Sequence, residues 1–326
     1  MSWVPLVQNR RSRPLNRKSP GGERNITGLR QKSQTRYIVL MRINIIYPSD
    51  KLNGIDRQRD TCLPLDFAYH DTYQPGHVNV FLGSQSQPVS ESEAAQSIFV
   101  LTEPPEVEVY RQEHLAKFWK VLGPPFRYLR NLHNLLPVGG IVPWRIGVRH
   151  DVGQPQPTLS REEIADLPIP EGPCVSAVIS DKRFTKLQRV RLRIAEYLSK
   201  ELDNFELFGR GRRLLAEKLD AHKLGGFHFA VENSFHPLYF TEKLTDALLA
   251  GNHVFYFGHP SSVDQFHRES ITMINLFQPR ARIKRQITEV IGNYDYRWSE
   301  SAKRANRTLV MDKFNLHAAI GRAVLD

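Results

Sequence analysis

An α/β fold in two halves is what this sequence predicts, on three observations. Strand-like apolar runs alternate with longer, often helical, segments along most of the chain. The length of 326 residues is about twice that of an ordinary domain. A polar stretch, 153–173, gathers five prolines and divides the pattern. The expected organisation is therefore a tail over 1–36, an α/β domain over 37–152, a linker over 153–173 and a Rossmann-like domain over 174–326.

The tail is set apart by its charge. Residues 1–36 hold nine Lys and Arg against a single acid, Glu23, and so supply most of the net charge of +11. This stretch is rich in Arg, Ser, Pro and Gly and has no apolar periodicity, so burial cannot offset its ordering entropy, and disorder is expected. Such a tail is suited to peripheral contact with an anionic membrane, at about 1 kcal/mol per basic residue near the lipid. It lacks the apolar core of a secretion signal, and no run approaches the roughly 18 apolar residues of a membrane span. Cys62 and Cys174 have neither metal-type spacing nor partners for a disulfide framework, which fits a reducing, cytoplasmic compartment.

The fold begins at Tyr37–Ile46, a short β-branched run closed by Pro48 and read as a buried strand. His77–Leu82 and Ser97–Thr102 read as further strands. In the second half Cys174–Ser180 is a strand, and Leu187, Val190, Ile194 and Leu198 then mark one face of a helix at spacings of three and four. Strands at Phe205–Phe208, His228–Val231, Val254–Phe257 and Ile271–Leu276 alternate with helical runs around Arg212–Ala221 and Phe240–Ala250. Repetition of β then α predicts a parallel, doubly wound sheet, whose ligands lie in loops beyond the carboxyl ends of the strands.

One such loop stands out. Glu232, Asn233 and Ser234 leave a buried strand, Thr241 offers a side-chain cap to the next helix, and Gly251 is placed to end it. A helix N-terminus with Lys243 beside it is suited to an anion, and the neighbouring carboxylate of Glu242 to sugar hydroxyls. Phosphate and ribose together describe a nucleotide; an ordinary capped surface helix would need only the same cap.

The segment VENSFHPLYFTEKLTDALLAG, with the following strand and its Gly258 and Pro260, resembles the signature of the α-1,3/1,4-fucosyltransferases, glycosyltransferase family 10. The resemblance extends over roughly 174–280 and includes the arginine-bearing helix that runs into FELFGRG. In the first half, VLTEPPEV resembles the family's Glu-Ser-Pro element, with Pro104 replacing the serine, and VPWRIGV resembles the segment that closes the N-terminal domain. The resemblance implies a GT-B architecture, with two Rossmann-like domains facing across a cleft. It also implies transfer of L-fucose from GDP-fucose to a hydroxyl of a glycan or lipid-linked saccharide, with inversion at the anomeric carbon. On that basis Glu103 is the expected general base, Arg191 and Lys243 hold the diphosphate, Glu242 accepts ribose hydroxyls, and Asn233 and Tyr239 line the nucleoside site. Arg189 competes with Arg191 for its role, and Glu106 and Glu108 stand next in line for the base.

No cofactor beyond the donor substrate is expected, and no metal. No two aspartates stand two residues apart, so the Asp-x-Asp of metal-dependent transferases is missing. Six histidines fall between 222 and 267 without the i, i+4 pairing of a zinc helix, and they read as mostly structural, with His236 the one inside the loop of interest. Two other readings stay open: a GT-B transferase using a different nucleotide sugar, and a decayed transferase fold serving as a nucleic-acid or membrane-binding protein.

Overall fold

The first half folds around a six-stranded parallel sheet, seen in a computed structural model that describes residues 41–46, 65–83, 90–150 and 155–325. The expected tail, Cys62 and the first residues of the opening strand lie outside the described residues. The strands are β1 (Met41–Ile46), β2 (Leu65–His70), β3 (Val78–Leu82), β4 (Ser97–Val100), β5 (Lys120–Gly123) and β6 (Leu135–Pro137), in the order β2-β1-β3-β4-β5-β6. Ile43, Ile45, Val80, Ile98 and Val100 are fully buried, as residues of a sheet covered on both faces must be. Among the described residues, two short helices, α1 (Glu91–Ala94) and α2 (Gln112–Leu115), and a turn of 3-10 helix (Arg127–Leu129) interrupt this half before β6.

The stretch expected as a linker is packed structure. After the small antiparallel pair β7 (Val148–Arg149) and β8 (Gln156–Pro157) comes α3 (Arg161–Ala165). Ser160 caps that helix by accepting from the Glu163 N–H at 3.1 Å, while the Glu163 carboxylate accepts from the Ser160 N–H at 2.7 Å. Ile164 is fully buried in one cluster with Trp144 and Ile146, whereas Ile141 belongs to the core of the first sheet. The crossover between the halves therefore falls at Val142–Pro143, ahead of the proline-rich stretch.

The second sheet comprises β9 (Val175–Val178), β10 (Phe205–Phe208), β11 (Phe227–Val231), β12 (His253–Phe257) and β13 (Ile271–Met273), all parallel, in the order β10-β9-β11-β12-β13. Helix α4 (Lys186–Glu201) starts at a capping box of Thr185 and Gln188 and buries Leu192, Ile194, Ala195 and Leu198 on the sheet. The helical run expected around Arg212–Ala221 is confined to α5 (Lys218–His222), and α6 (Glu242–Ala250) follows β11. Three helices close the chain: α7 (Arg280–Gly292), α8 (Tyr296–Asp312) and α9 (Leu316–Leu325).

The expected 174–326 unit does not hold together to its end. Leu316, Ala319, Ile320 and Ala323 of α9 are buried against Ile43, Val80 and Ile98 of the first sheet. His317 Nε2 lies 2.7 Å from Tyr69 Oη of β2, and Lys120 of β5 donates to the Ala323 carbonyl. The apolar face of α9 matches the open face of β1, β3 and β4, and that match draws the chain back. Two parallel Rossmann-like sheets thus face each other across a cleft, which is the GT-B arrangement, and each reverses strand order beside its first strand.

Candidate active site

A cavity of about 560 Å³ opens between the halves at the carboxyl ends of β4, β9 and β11. It lies at the switch point of the second sheet, where β9 sits between β10 and β11 and the two flanking connections leave in opposite directions. All six site residues expected from the sequence line it: Glu103 from the first half, and Arg191, Asn233, Tyr239, Glu242 and Lys243 from the second.

The loop from β11 to α6 is pinned by a buried carboxylate. Glu232 is fully buried, accepting from the Thr241 N–H at 2.9 Å and the Thr241 hydroxyl at 2.8 Å. Burial raises its pKa, against the opposing pull of Lys243. Thr241 in turn caps α6, accepting from the Lys243 N–H at 3.4 Å, and Gly251 ends the helix in the left-handed region at φ 82°. Glu232 does not face the cavity; its work is to hold both ends of the loop.

Two cations bound the second-half side of the cavity. Arg191, on the buried face of α4, is 4% exposed. Its one hydrogen bond among the described residues is a long one, Nη1 to the Val231 carbonyl at 3.4 Å, and its buried Nε has no partner. Burial lowers its pKa, partly countered by Glu232 and Glu242. Arg189, the competitor, is exposed and donates to the carbonyls of Arg183 and Phe184. Of the two arginines, Arg191 lines the cavity and Arg189 does not, because the Arg191 position on α4 faces the sheet and cleft. Lys243 donates to the Thr241 hydroxyl and the Glu242 carboxylate, each at 3.0 Å. Burial alone would lower its pKa, but Glu242 and Glu232 raise it above the usual lysine range.

Sequence reasoning missed part of this network. Lys218, at the start of α5, donates to Asp246 at 2.9 Å and lies 3.9 Å from Glu242. Burial acts to raise the Glu242 carboxyl, yet Lys243 and Lys218 outweigh it and hold the group far below the ordinary carboxylate range. Asp246 also accepts from the Arg145 N–H at 2.6 Å, tying the crossover segment to α6. Lys218 and Asp246 carried no sequence signal of their own; one clue was available, since Asp246 sits one turn beyond Glu242 and Lys243.

Tyr239 is buried, and its hydroxyl donates to Asn233 Oδ1 at 2.7 Å, fixing the amide at the cavity wall. His222 and His228 line the same cavity with ring centroids 4.1 Å apart. Burial pushes His222 down to about 4 and His228 well below the usual range, so both are neutral at pH 7. They are held by Asn252 and Ser176 respectively, at 2.8 Å each, in keeping with a structural reading of the histidines.

Across the cleft, Glu103 follows β4, and its N–H donates to the Tyr110 hydroxyl at 3.2 Å. The side chain meets solvent at the cleft mouth, yet the surrounding walls remove enough water to raise its pKa; Lys243 opposes this and Glu242 reinforces it. Glu106, two residues past Pro104, turns to the second half instead. It accepts from the Ser234 hydroxyl at 2.6 Å and lies 3.0 Å from His236 Nε2. Glu108 accepts from the Tyr110 hydroxyl at 2.7 Å. Among the three carboxylates of this segment, Glu103 has no hydrogen bond to its oxygens from a described residue. Among the described residues, no three His, Cys, Asp or Glu side chains are grouped so as to hold a metal ion.

No protein-family model matches the chain, and no curated protein matches it by sequence. Solved structures do resemble it at a distance. An α1,3-fucosyltransferase with GDP is 14% identical, with a TM-score of 0.49, covering 89% of this chain and 85% of that one. The same kind of enzyme with GDP-fucose is 13% identical, with a TM-score of 0.47 over the same shares. A glycosyltransferase from Rickettsia africae ESF-5 is 9% identical, with a TM-score of 0.46, covering 88% of this chain and 97% of that one.

Proposed function

We propose that this protein is an inverting, metal-independent glycosyltransferase that moves L-fucose from GDP-fucose to a hydroxyl of a glycan acceptor. The observation that carries this reading is the buried Arg191 with an unpartnered Nε, sharing one cavity with the Lys243 ammonium and, on the opposite half, the carboxylate of Glu103. A buried guanidinium with spare donors is costly unless an anion completes it, and a diphosphate is such an anion. Glu242, held ionised by two lysines, offers acceptor oxygens to vicinal ribose hydroxyls.

The chemistry follows from the two sides. Glu103 takes the proton of the acceptor hydroxyl, and that oxygen attacks the anomeric carbon from the face opposite GDP. The bond from the anomeric carbon to the diphosphate oxygen breaks, and its electron pair leaves with GDP. Arg191 and Lys243 offset the charge that grows there, as groups fixed beforehand. A base with a raised pKa is the better proton acceptor near neutrality. The identity of the sugar and base rests on the sequence resemblance, since a diphosphate site does not read the sugar.

The test is a hydrolysis screen over nucleotide sugars, which needs no knowledge of the acceptor. Slow release of fucose from GDP-fucose, inhibited by GDP and not by UDP or CMP, and unchanged by excess chelator, is expected. Hydrolysis of a different nucleotide sugar would replace the donor in this reading. Activity lost to chelator and restored by magnesium or manganese would remove its metal independence.

A further inference from the structure

We propose that the acceptor is an acidic saccharide, and that its negatively charged group is held by Arg127 and Arg130 in a second cavity beside the donor site. The proposal rests on the transferase reading above and names the substrate class of that same site. The cavity, also about 560 Å³, takes its wall from Gln112, Arg127, Tyr128, Arg130 and Asn131 of the first half and from His236 of the second.

Position is the first argument. Glu106 lines the donor cavity, and its partner His236 lines this one, so the two spaces share the Glu106–His236 pair as a wall. An acceptor whose hydroxyl reaches Glu103 must run its remaining sugars out of the cleft, and Pro105 leads directly from Glu103 to this second space.

Charge is the second. Some exposed arginines elsewhere on this surface are paired, Arg304 with Glu300 and Arg268 with Asp264. Arg127 and Arg130 make no ion pair or side-chain hydrogen bond with a described residue, and they stand together on one turn of 3-10 helix. The nearest carboxylate of the wall, Glu106, is already engaged by Ser234 and His236. Two planar guanidinium groups with free donors match a carboxylate or phosphate bidentately.

The third argument is the platform between them. Tyr128 is fixed from three sides: it lies parallel to Phe126 with centroids 6.3 Å apart, its hydroxyl accepts from the Tyr110 N–H, and its carbonyl accepts from Gln112 Nε2 at 2.6 Å. A held aromatic ring flanked by amides and guanidinium groups offers the apolar body and few convergent polar groups of a small-molecule site.

The experiment uses the full-length protein and three matched acceptors: a uronate-bearing oligosaccharide, its carboxyl-reduced neutral counterpart and a phosphorylated oligosaccharide. The expected result is preference for one or both acidic forms, the two arms telling carboxylate from phosphate. In Arg127→Ala/Arg130→Ala, the acceptor KM should rise about tenfold to a hundredfold and the preference for acid should vanish, while hydrolysis of donor without acceptor stays at the parent rate. The Lys/Lys variant should restore part of the preference. Equal use of acidic and neutral acceptors, or a preference that survives the double Ala variant, would overturn the proposal. Direct titration of the acidic saccharide against both proteins separates the two readings: arginine-dependent binding without donor hydrolysis would sink the fucosyl-transfer reading and leave the acidic subsite standing, and its absence alongside donor hydrolysis would do the reverse.

Discussion

Arg191 and Lys243 carry positive charge into a cleft where water is scarce, and their removal should be felt in donor affinity before anything else. A charge-assisted hydrogen bond is worth about 1.5 to 3 kcal/mol, so Arg191→Ala or Lys243→Ala should weaken GDP binding about tenfold to more than a hundredfold, measured by calorimetry. Unchanged affinity in both would mean that the phosphates lie elsewhere. Glu103 should behave oppositely. Glu103→Gln keeps the shape and removes the basic oxygen, so turnover should fall by about 10² or more at constant GDP affinity. Burial raises the Glu103 pKa, and a carboxylate can act as the proposed base only when ionised. The acid limb of the transfer rate should therefore lie above the ordinary glutamate range, the rate falling as pH drops through it, and Glu103→Gln should abolish that limb. A limb that persists in the variant would point to Glu106 or Glu108.

At the scale of elements, α6 depends on its two ends. Thr241 satisfies both oxygens of the fully buried Glu232, one through its backbone N–H and one through its hydroxyl, and that hydroxyl caps the helix. Thr241→Ala keeps the backbone bond but strips the hydroxyl bond to the buried carboxylate and the cap, and should cost about 1 to 3 kcal/mol of stability, with Thr241→Ser much milder. Gly251 has φ 82°, and a Cβ there would stand 2.6 Å from Ile169 Cδ1 and 2.9 Å from Arg307 Nη2. Gly251→Ala combines left-handed backbone strain with that crowding and should cost more than about 1 kcal/mol. Denaturant midpoints of the variants check both; an unchanged midpoint in either would show that the neighbouring structure yields more easily than the geometry suggests. Element α6 was legible in the sequence because its signals are local: a capping residue, an apolar face and a glycine stop within one short window. The strands β2, β5 and β6 were not, since LDFAYH carries charge at Asp66 and a polar His70, and KVLG and LLP are too short to display a period.

For the whole molecule, α9 is the element that ties the second half back to the first sheet. Leu316 and Ile320 are fully buried in the first core, so ending the chain after Lys313 exposes the apolar face of the first sheet. Such a truncation should lower the unfolding temperature of the first half and make a single thermal transition resolve into two, followed by calorimetry. One transition at the parent temperature would show that α9 is dispensable. The contacts of Glu106 with Ser234 and His236 form a second link, from the first half to the loop between β11 and α6.

What the sequence determined by itself is the set of features written in short windows: alternating strand and helix, the cap and stop of α6, the cluster of polar residues leaving β11, and a carboxylate followed by two prolines at Glu103. Each depends on neighbours a few residues away, where propensity and periodicity act. What only the tertiary structure decided is which side chains meet. It placed Arg191 and not Arg189 on the cavity wall by turning one face of α4 inward, and it brought Lys218 and Asp246 into the network of Glu242 and Lys243. It also returned α9 to the first sheet and set Arg127 and Arg130 beside His236. Those partnerships join residues about 100 or more positions apart in several cases, and they arise from burial of whole faces against each other, a free energy that no local pattern records.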